Sequence, residues 1–237
     1  MRDRGARLVA AIAAMMLLQG CLAGFGSGKA EQRVSVTRGG IVIAGPAGFC
    51  IDGASLRNRA DGTFVLLASC AALTGAPDAP HPPIPGVLSA MVSEGPDGVG
   101  LAESLPEIAD YLSSETGRAA LSRTGDPESV AVLQSRIAGG VLFLNLRDDS
   151  DFDGPAIEPE YWRAVFAARG HIVTLSAMAP AGQPAIGALA KLEAFVARVA
   201  QENAGSRAGA PPRGPAPPPA NPARVREAAV PRPLAAG

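Results

Sequence analysis

The chain has 237 residues, enough for one domain of ordinary size with ends that need not fold. Apolar residues make up 47% and mean hydropathy is +0.17, which supplies a buried core and excludes global disorder. A formal charge of −1, with 21 basic against 22 acidic residues, removes the case for nucleic acid, which asks for a basic face.

The N-terminus reads as an address. Arg2, Arg4 and Arg7 form a positive head, and Leu8 to Leu18 is an uninterrupted apolar run. The run has the length of a signal-peptide core and falls short of the ~20 residues a helix needs to cross hydrocarbon. It ends in Leu18-Gln19-Gly20-Cys21. This resembles the lipobox of bacterial lipoproteins, with an apolar residue at −3, a small one at −1 and Cys at +1. Gln19 at −2 is larger than the usual small residue. The resemblance implies that residues 1–20 are a signal peptide and that Cys21 is the lipid-attachment site, with the new N-terminus acylated. Leu22, where an Asp would mark retention at the inner membrane, implies the outer membrane of a diderm cell. The alternative is an ordinary secretory signal in which Cys21 is incidental.

Cysteine usage agrees with an oxidising compartment. Apart from Cys21 there are two cysteines, Cys50 and Cys70, and an even pair in an exported chain predicts a structural disulfide. Two buried free thiols are the alternative. A zinc or redox pair is disfavoured, because there is no Cys-x-x-Cys spacing and no histidine nearby.

Residues 21–33 are small and polar, as a tether should be, and residues 34–201 carry the folding pattern. Val34 and Val36, Ile41 to Ile43, and Phe64 to Ser69 predict strands. Thr74 to Gly86 holds five prolines and predicts a surface loop, and Val87 to Ser93 another strand. Ser104 and Glu107 form a capping box with Pro106 in the first turn, predicting a helix with Leu105, Ile108, Ala109 and Leu112 on one face. Gly117 ends or interrupts it. Val130 to Ile137 and Val141 to Leu146, joined through Gly139-Gly140, predict a hairpin, and Tyr161 to Ala168 with His171 to Met178, turning at Arg169-Gly170, a second. A last helix starts at Pro184 with Ile186, Leu189, Leu192, Val196 and Val199 on one face. Residues 202–237 are Ala, Pro, Gly and Arg with few large apolar side chains, which predicts a disordered tail with local polyproline II. Its arginines suit weak attraction to anionic headgroups or an acidic partner; a flexible spacer is the plainer reading.

These elements predict an α+β domain, an antiparallel β-sheet with flanking helices. Their order is similar to the PsbP-like fold: a strand running into Gly45-Pro46-Ala47-Gly48-Phe49, a mid-chain helix, a meander and a terminal helix. Further points of likeness are Tyr161-Trp162-Arg163-Ala164-Val165-Phe166 and the strand His171 to Met178 ending at Pro180. That group includes extrinsic photosystem subunits and many bacterial lipoproteins, so the resemblance implies a binding or assembly factor rather than an enzyme.

One motif carries recognisable chemistry. Asp149-Ser150-Asp151-Phe152-Asp153-Gly154 with Glu160 satisfies D-x-D-x-D-G-x5-E, the calcium-loop spacing of EF-hands. Asp149, Asp151, Asp153 and Glu160 would be the side-chain ligands of a calcium ion. The strand-like residues before the loop and Pro159 after it argue against an EF-hand, leaving a strand-flanked variant or a solvated acidic loop. His81 and His171 read as turn residues rather than catalysts, and no G-x-S-x-G elbow occurs. Tyr161 and Trp162, adjacent on a strand, point to opposite faces, one to the core and one outward. The sequence thus predicts a non-catalytic, lipid-anchored extracytoplasmic module with an envelope protein partner. A calcium-binding lipoprotein and an envelope hydrolase without a recognisable motif are the alternatives.

Overall fold

The computed structural model describes residues 30–37, 40–95, 99–150 and 156–204. The segment expected to be a signal peptide (residues 1–20), Cys21, Asp151, Asp153 and residues 205–237 of the expected tail lie outside the described residues.

The β-branched and aromatic runs become strands. β1 (Arg33–Val36) and β2 (Ile41–Ala44) form a two-stranded sheet. The larger sheet has seven strands, all antiparallel: β3 (Phe49–Arg59), β4 (Gly62–Ser69), β5 (Val87–Glu94), β6 (Val130–Ala138), β7 (Val141–Asp148), β8 (Ile157–Ala168) and β9 (His171–Pro180). Their spatial order is β3-β4-β5-β9-β8-β7-β6. The helices are α1 (Cys70–Thr74), α2 (Val99–Ser113), α3 (Glu115–Leu121) and α4 (Ala188–Ala204). The architecture is therefore α+β, built on one large antiparallel sheet. Both expected hairpins form, and Arg169 and Gly170 take φ of 51° and 77°, the two positive values a type I′ turn requires.

Each face of the sheet has its own core. On one face Val65, Leu67, Leu88, Ala90, Val173 and Leu175 pack with Leu192, Phe195 and Val199 of α4 and with Ile41 and Ile43 of β2. On the other, Leu142, Leu144, Leu146 and Tyr161 pack with Leu101 and Leu105 of α2 and Leu121 of α3. Tyr161 and Trp162 do point to opposite faces, but both faces are covered there, so Trp162 is half-buried against the α4 side instead of pointing outward.

Several expectations are corrected. β3 is an additional strand: Phe49 and Ile51 alternate inward, then the register slips between Asp52 and Arg57 at the sheet edge. The Ser55 hydroxyl fills that slip, donating to the Asp52 carbonyl (2.7 Å) and accepting from the Leu66 amide (3.1 Å). The Ser104–Glu107 capping box is not a helix start. α2 begins at Val99 and holds Pro106 inside, because the apolar stripe extends a turn earlier to Leu101, and burying Leu101 and Leu105 outweighs the hydrogen bond that Pro106 cannot donate. α2 ends before Gly117, at Ser113, and Ser114 caps α3 by accepting from the Gly117 amide. A Cβ on Gly117 would lie 1.9 Å from the Tyr111 carbonyl oxygen, so the tight corner admits only glycine.

The last helix starts at Ala188, four residues past Pro184, and Ile186 is 78% exposed. Phe195 takes the central place on its buried face. The folded part extends beyond the expected 34–201. Glu31 and Gln32 accept from the Ile51 and Gly45 amides at 2.7 and 2.9 Å, and α4 runs to Ala204.

Cys50 and Cys70 are joined by a disulfide across a separation of 20 residues, tying the first inward turn of β3 to the start of α1. Cross-linking a loop of that length removes about 3 kcal/mol of unfolded-chain entropy. The Cys50→Ala/Cys70→Ala double variant is accordingly expected to lose ~3 kcal/mol in urea unfolding. An unchanged midpoint would show that strand pairing alone fixes this end of the sheet.

Candidate functional site

The α2–α3 pair packs on β6, β7 and β8, at one end of the sheet. On that same face β4, β5 and β9 present Phe64 and Leu66, Val87, Ser89 and Met91, and Ser176 and Met178 to a groove of about 410 Å³. The wall on the helix side is Tyr161 and Arg163 of β8, Ile157 and Arg123; Arg59, at the tip of the β3–β4 hairpin, borders the other side. Among the described residues the floor is apolar, the rim is cationic, and no Asp or Glu lines the groove.

The register orders these side chains. Leu66 pairs with Ser89, Ser89 with Ser176, and Ser176 with Arg163, giving one row across the sheet; Phe64 pairs with Met91 in the next row. The Arg163 Nε donates to the Ser176 hydroxyl at 3.2 Å, and its guanidinium lies 5.4 Å from the Tyr161 ring centre. Arg123 sits beside the same ring at 5.9 Å, held from behind by Asp148, whose side chain is fully buried. Asp148 accepts from the Arg123 amide at 3.3 Å and the Ser150 amide at 3.0 Å. A buried carboxylate behind the wall thus fixes one of its cations.

Of the sequence-derived calcium ligands, Asp149 and Glu160 are among the described residues. Asp149 pairs with Arg147 (2.7 Å), which lowers the carboxyl pKa through that hydrogen bond and raises that of the guanidinium. Glu160 lies on β8 opposite Arg147 and accepts from the Asn145 amide group at 3.0 Å. The residues leaving the loop form a strand rather than an EF-hand helix. Among the described residues no group of three or more His, Cys, Asp or Glu side chains is assembled, and Asp151 and Asp153 lie outside them.

Neither histidine lines the groove. His171 begins β9 with Nδ1 3.0 Å from the Arg169 carbonyl, within its turn. The His81 backbone packs on Gly48, whose φ of +83° and missing side chain admit it: a Cβ there would be 2.4 Å from the His81 carbonyl carbon.

Under α4, on the opposite face, Lys191 is only 5% exposed and donates to the Pro85 carbonyl. Burial lowers its pKa from 10.5. The folded state then holds fewer protons than the unfolded chain between the lowered value and 10.5, so stability rises with pH across that window. Compared with Lys191→Met, the natural chain should gain stability between pH 7 and pH ~10.5 in urea unfolding. A pH-independent difference between the two would mean that the ammonium stays solvated.

No polar motif marks the groove residues in the sequence. The available signal was apolar character on both faces of Phe64 to Ser69 and Val87 to Val92, more than one covering helix can account for.

A scan against protein-family models finds no match, and a search of curated proteins finds none. Among solved structures the chain is similar to the solution structure of cyanobacterial PsbP (CyanoP) from Synechocystis sp. PCC 6803, at 16% identity and a TM-score of 0.31, covering 77% of this chain and 95% of that one. Among the described residues no helix is long and apolar enough to cross a membrane.

Proposed function

We propose that the protein is a non-catalytic binding or assembly module of the bacterial cell envelope, tethered by lipid on Cys21 and facing the extracytoplasmic side, with the outer membrane favoured by Leu22. The Cys50–Cys70 disulfide supports an oxidising compartment. Strand, helix, meander and closing helix follow one another as in the PsbP-like fold, which is our finer reading of the architecture. The observation that carries the binding role is the groove, an apolar sheet face left open by the α2–α3 pair and rimmed by arginines.

In-cell photo-crosslinking tests it. A benzophenone amino acid at Met91, on the groove floor, is expected to give a specific adduct in the envelope fraction. The same group at Leu133, exposed on β6, is the control and should give none. Equal adduct patterns from the two positions, or none from Met91, would overturn the groove as the contact surface. Loss of envelope retention in Cys21→Ser checks the anchor, and unchanged retention would remove it.

A further inference from the structure

We infer that the groove takes a single-chain anionic amphiphile, an acyl chain ending in a carboxylate or phosphate, with the head at Arg163 and the chain across β9, β5 and β4. This deepens the binding role proposed above and rests on it.

The charge pattern selects the head. Among the described residues neither Arg59 nor Arg163 has a carboxylate partner, although six ion pairs are formed by other residues. Arg163 spends its Nε on a neutral hydroxyl, and the Tyr161 ring holds its guanidinium plane. Its terminal nitrogens form the fork that binds carboxylate or phosphate bidentately. Ser176 and Ser89 continue from it along the same row, giving the head hydroxyl donors.

The floor selects the chain. Phe64, Leu66, Met91 and Met178 form an apolar strip, and the two methionines have the flexible, polarizable side chains that fit chains of varying shape. Arg163 and Arg59 stand on strands four places apart in the sheet. At about 4.8 Å per strand that is a span of about 19 Å, long and narrow as an extended acyl chain is. A volume of about 410 Å³ lies within the range of small-molecule sites. Arg59 is exposed and its stem can lie over the far end of the chain with the charge in water.

The test uses the full chain in phosphatidylcholine nanodiscs, offered palmitic acid with a diazirine at its methyl end, followed by peptide mapping of the adducts. Labelling is expected on the peptides carrying Phe64, Leu66 and Met91. Arg163→Gln should lower it about tenfold, the worth of one charge-assisted hydrogen-bonded pair. The methyl ester of the probe should label about tenfold less for the same reason. Arg59→Gln, at an exposed hairpin tip, should lower labelling less and guards against a folding defect at Arg163. Absent labelling of these peptides, or equal labelling by acid and ester, overturns the inference. If the Met91 benzophenone captures an envelope protein or the chain's own residues while palmitate does not label, the amphiphile is wrong; capture of the protein leaves the binding module standing. If Met91 captures nothing and palmitate does not label, both fall.

Discussion

A chain ended at Gln201 is expected to be about 4 kcal/mol less stable than one ended at Ala204, although only Glu202, Asn203 and Ala204 separate them. Asn203 carries most of this. It is 7% exposed on the last turn of α4, and its amide group acts as a strand edge toward β2. The Oδ1 accepts from the Val42 amide at 3.0 Å, while Nδ2 donates to the Val42 carbonyl at 2.8 Å and the Val199 carbonyl at 2.7 Å. Removing the side chain leaves the part-buried Val42 amide and carbonyl and the buried Val199 carbonyl without that partner, each costing about 1 kcal/mol. Glu202, paired with Arg33 at 3.7 Å and Arg198 at 2.6 Å, adds little because both arginines stay open to solvent and ion pairs of that kind are worth ~0.5 kcal/mol. Asn203→Leu should therefore reproduce about 3 kcal/mol of the loss in urea unfolding, and Glu202→Gln less than ~1. Equal stability of the two truncations would mean that β2 holds its place without α4.

That boundary shows where sequence reading stops. The change in composition lies close to Gln201, and the polar Gln201-Glu202-Asn203 reads as the start of a tail. Asn203 is recognisable as core only from its contact with Val42, 161 residues away, which no local pattern encodes. The same reason governs the helix errors. Ser104 and Glu107 satisfy the capping rule locally, yet the start of α2 is set by Leu101 packing against β7 and β8. Strand runs were legible: the two hairpins, β4 and β5 follow from apolar segments of strand length bounded by turn glycines. β3 was not, because an edge strand with a register slip at Asp52-Gly53-Ala54-Ser55 has neither clean alternation nor large side chains. The cystine pair was legible from the even count of cysteines left beside Cys21 in a chain read as exported. The groove was not, since it exists where helices fail to cover a sheet, and coverage is a property of the assembled layers.

Asp148→Ala is expected to cost about 4 kcal/mol and to loosen the groove wall, the largest effect of any single substitution proposed. The alternation of β7 puts Leu142, Leu144, Leu146 and Asp148 on one face and Asp149 on the other, so of two adjacent carboxylates the first is buried and the second is exposed. The calcium-loop spacing draws the eye to Asp149, while the period of the strand singles out Asp148. Within the core, Asp148 is compensated on both oxygens: Oδ1 accepts from the Ser150 amide and hydroxyl, Oδ2 from the Arg123 amide, with the Arg123 Nε 3.5 Å away. Removing it leaves the backbone amides of Arg123 and Ser150 without that acceptor and takes one buried carboxylate from beside the Arg123 guanidinium, and breaking such a pair from one side costs about 3–5 kcal/mol. Asp148→Asn preserves the shape and one acceptor, so it should cost less than Asp148→Ala in urea unfolding. Arg123 is in turn held beside Tyr161 on the groove wall, so palmitate labelling at Met91 should fall in Asp148→Asn even under conditions where the variant is fully folded. Labelling equal to that of the natural chain would show that Arg123 closes the wall without taking part in holding a ligand, and would leave Arg163 as the cation on which recognition of the head depends.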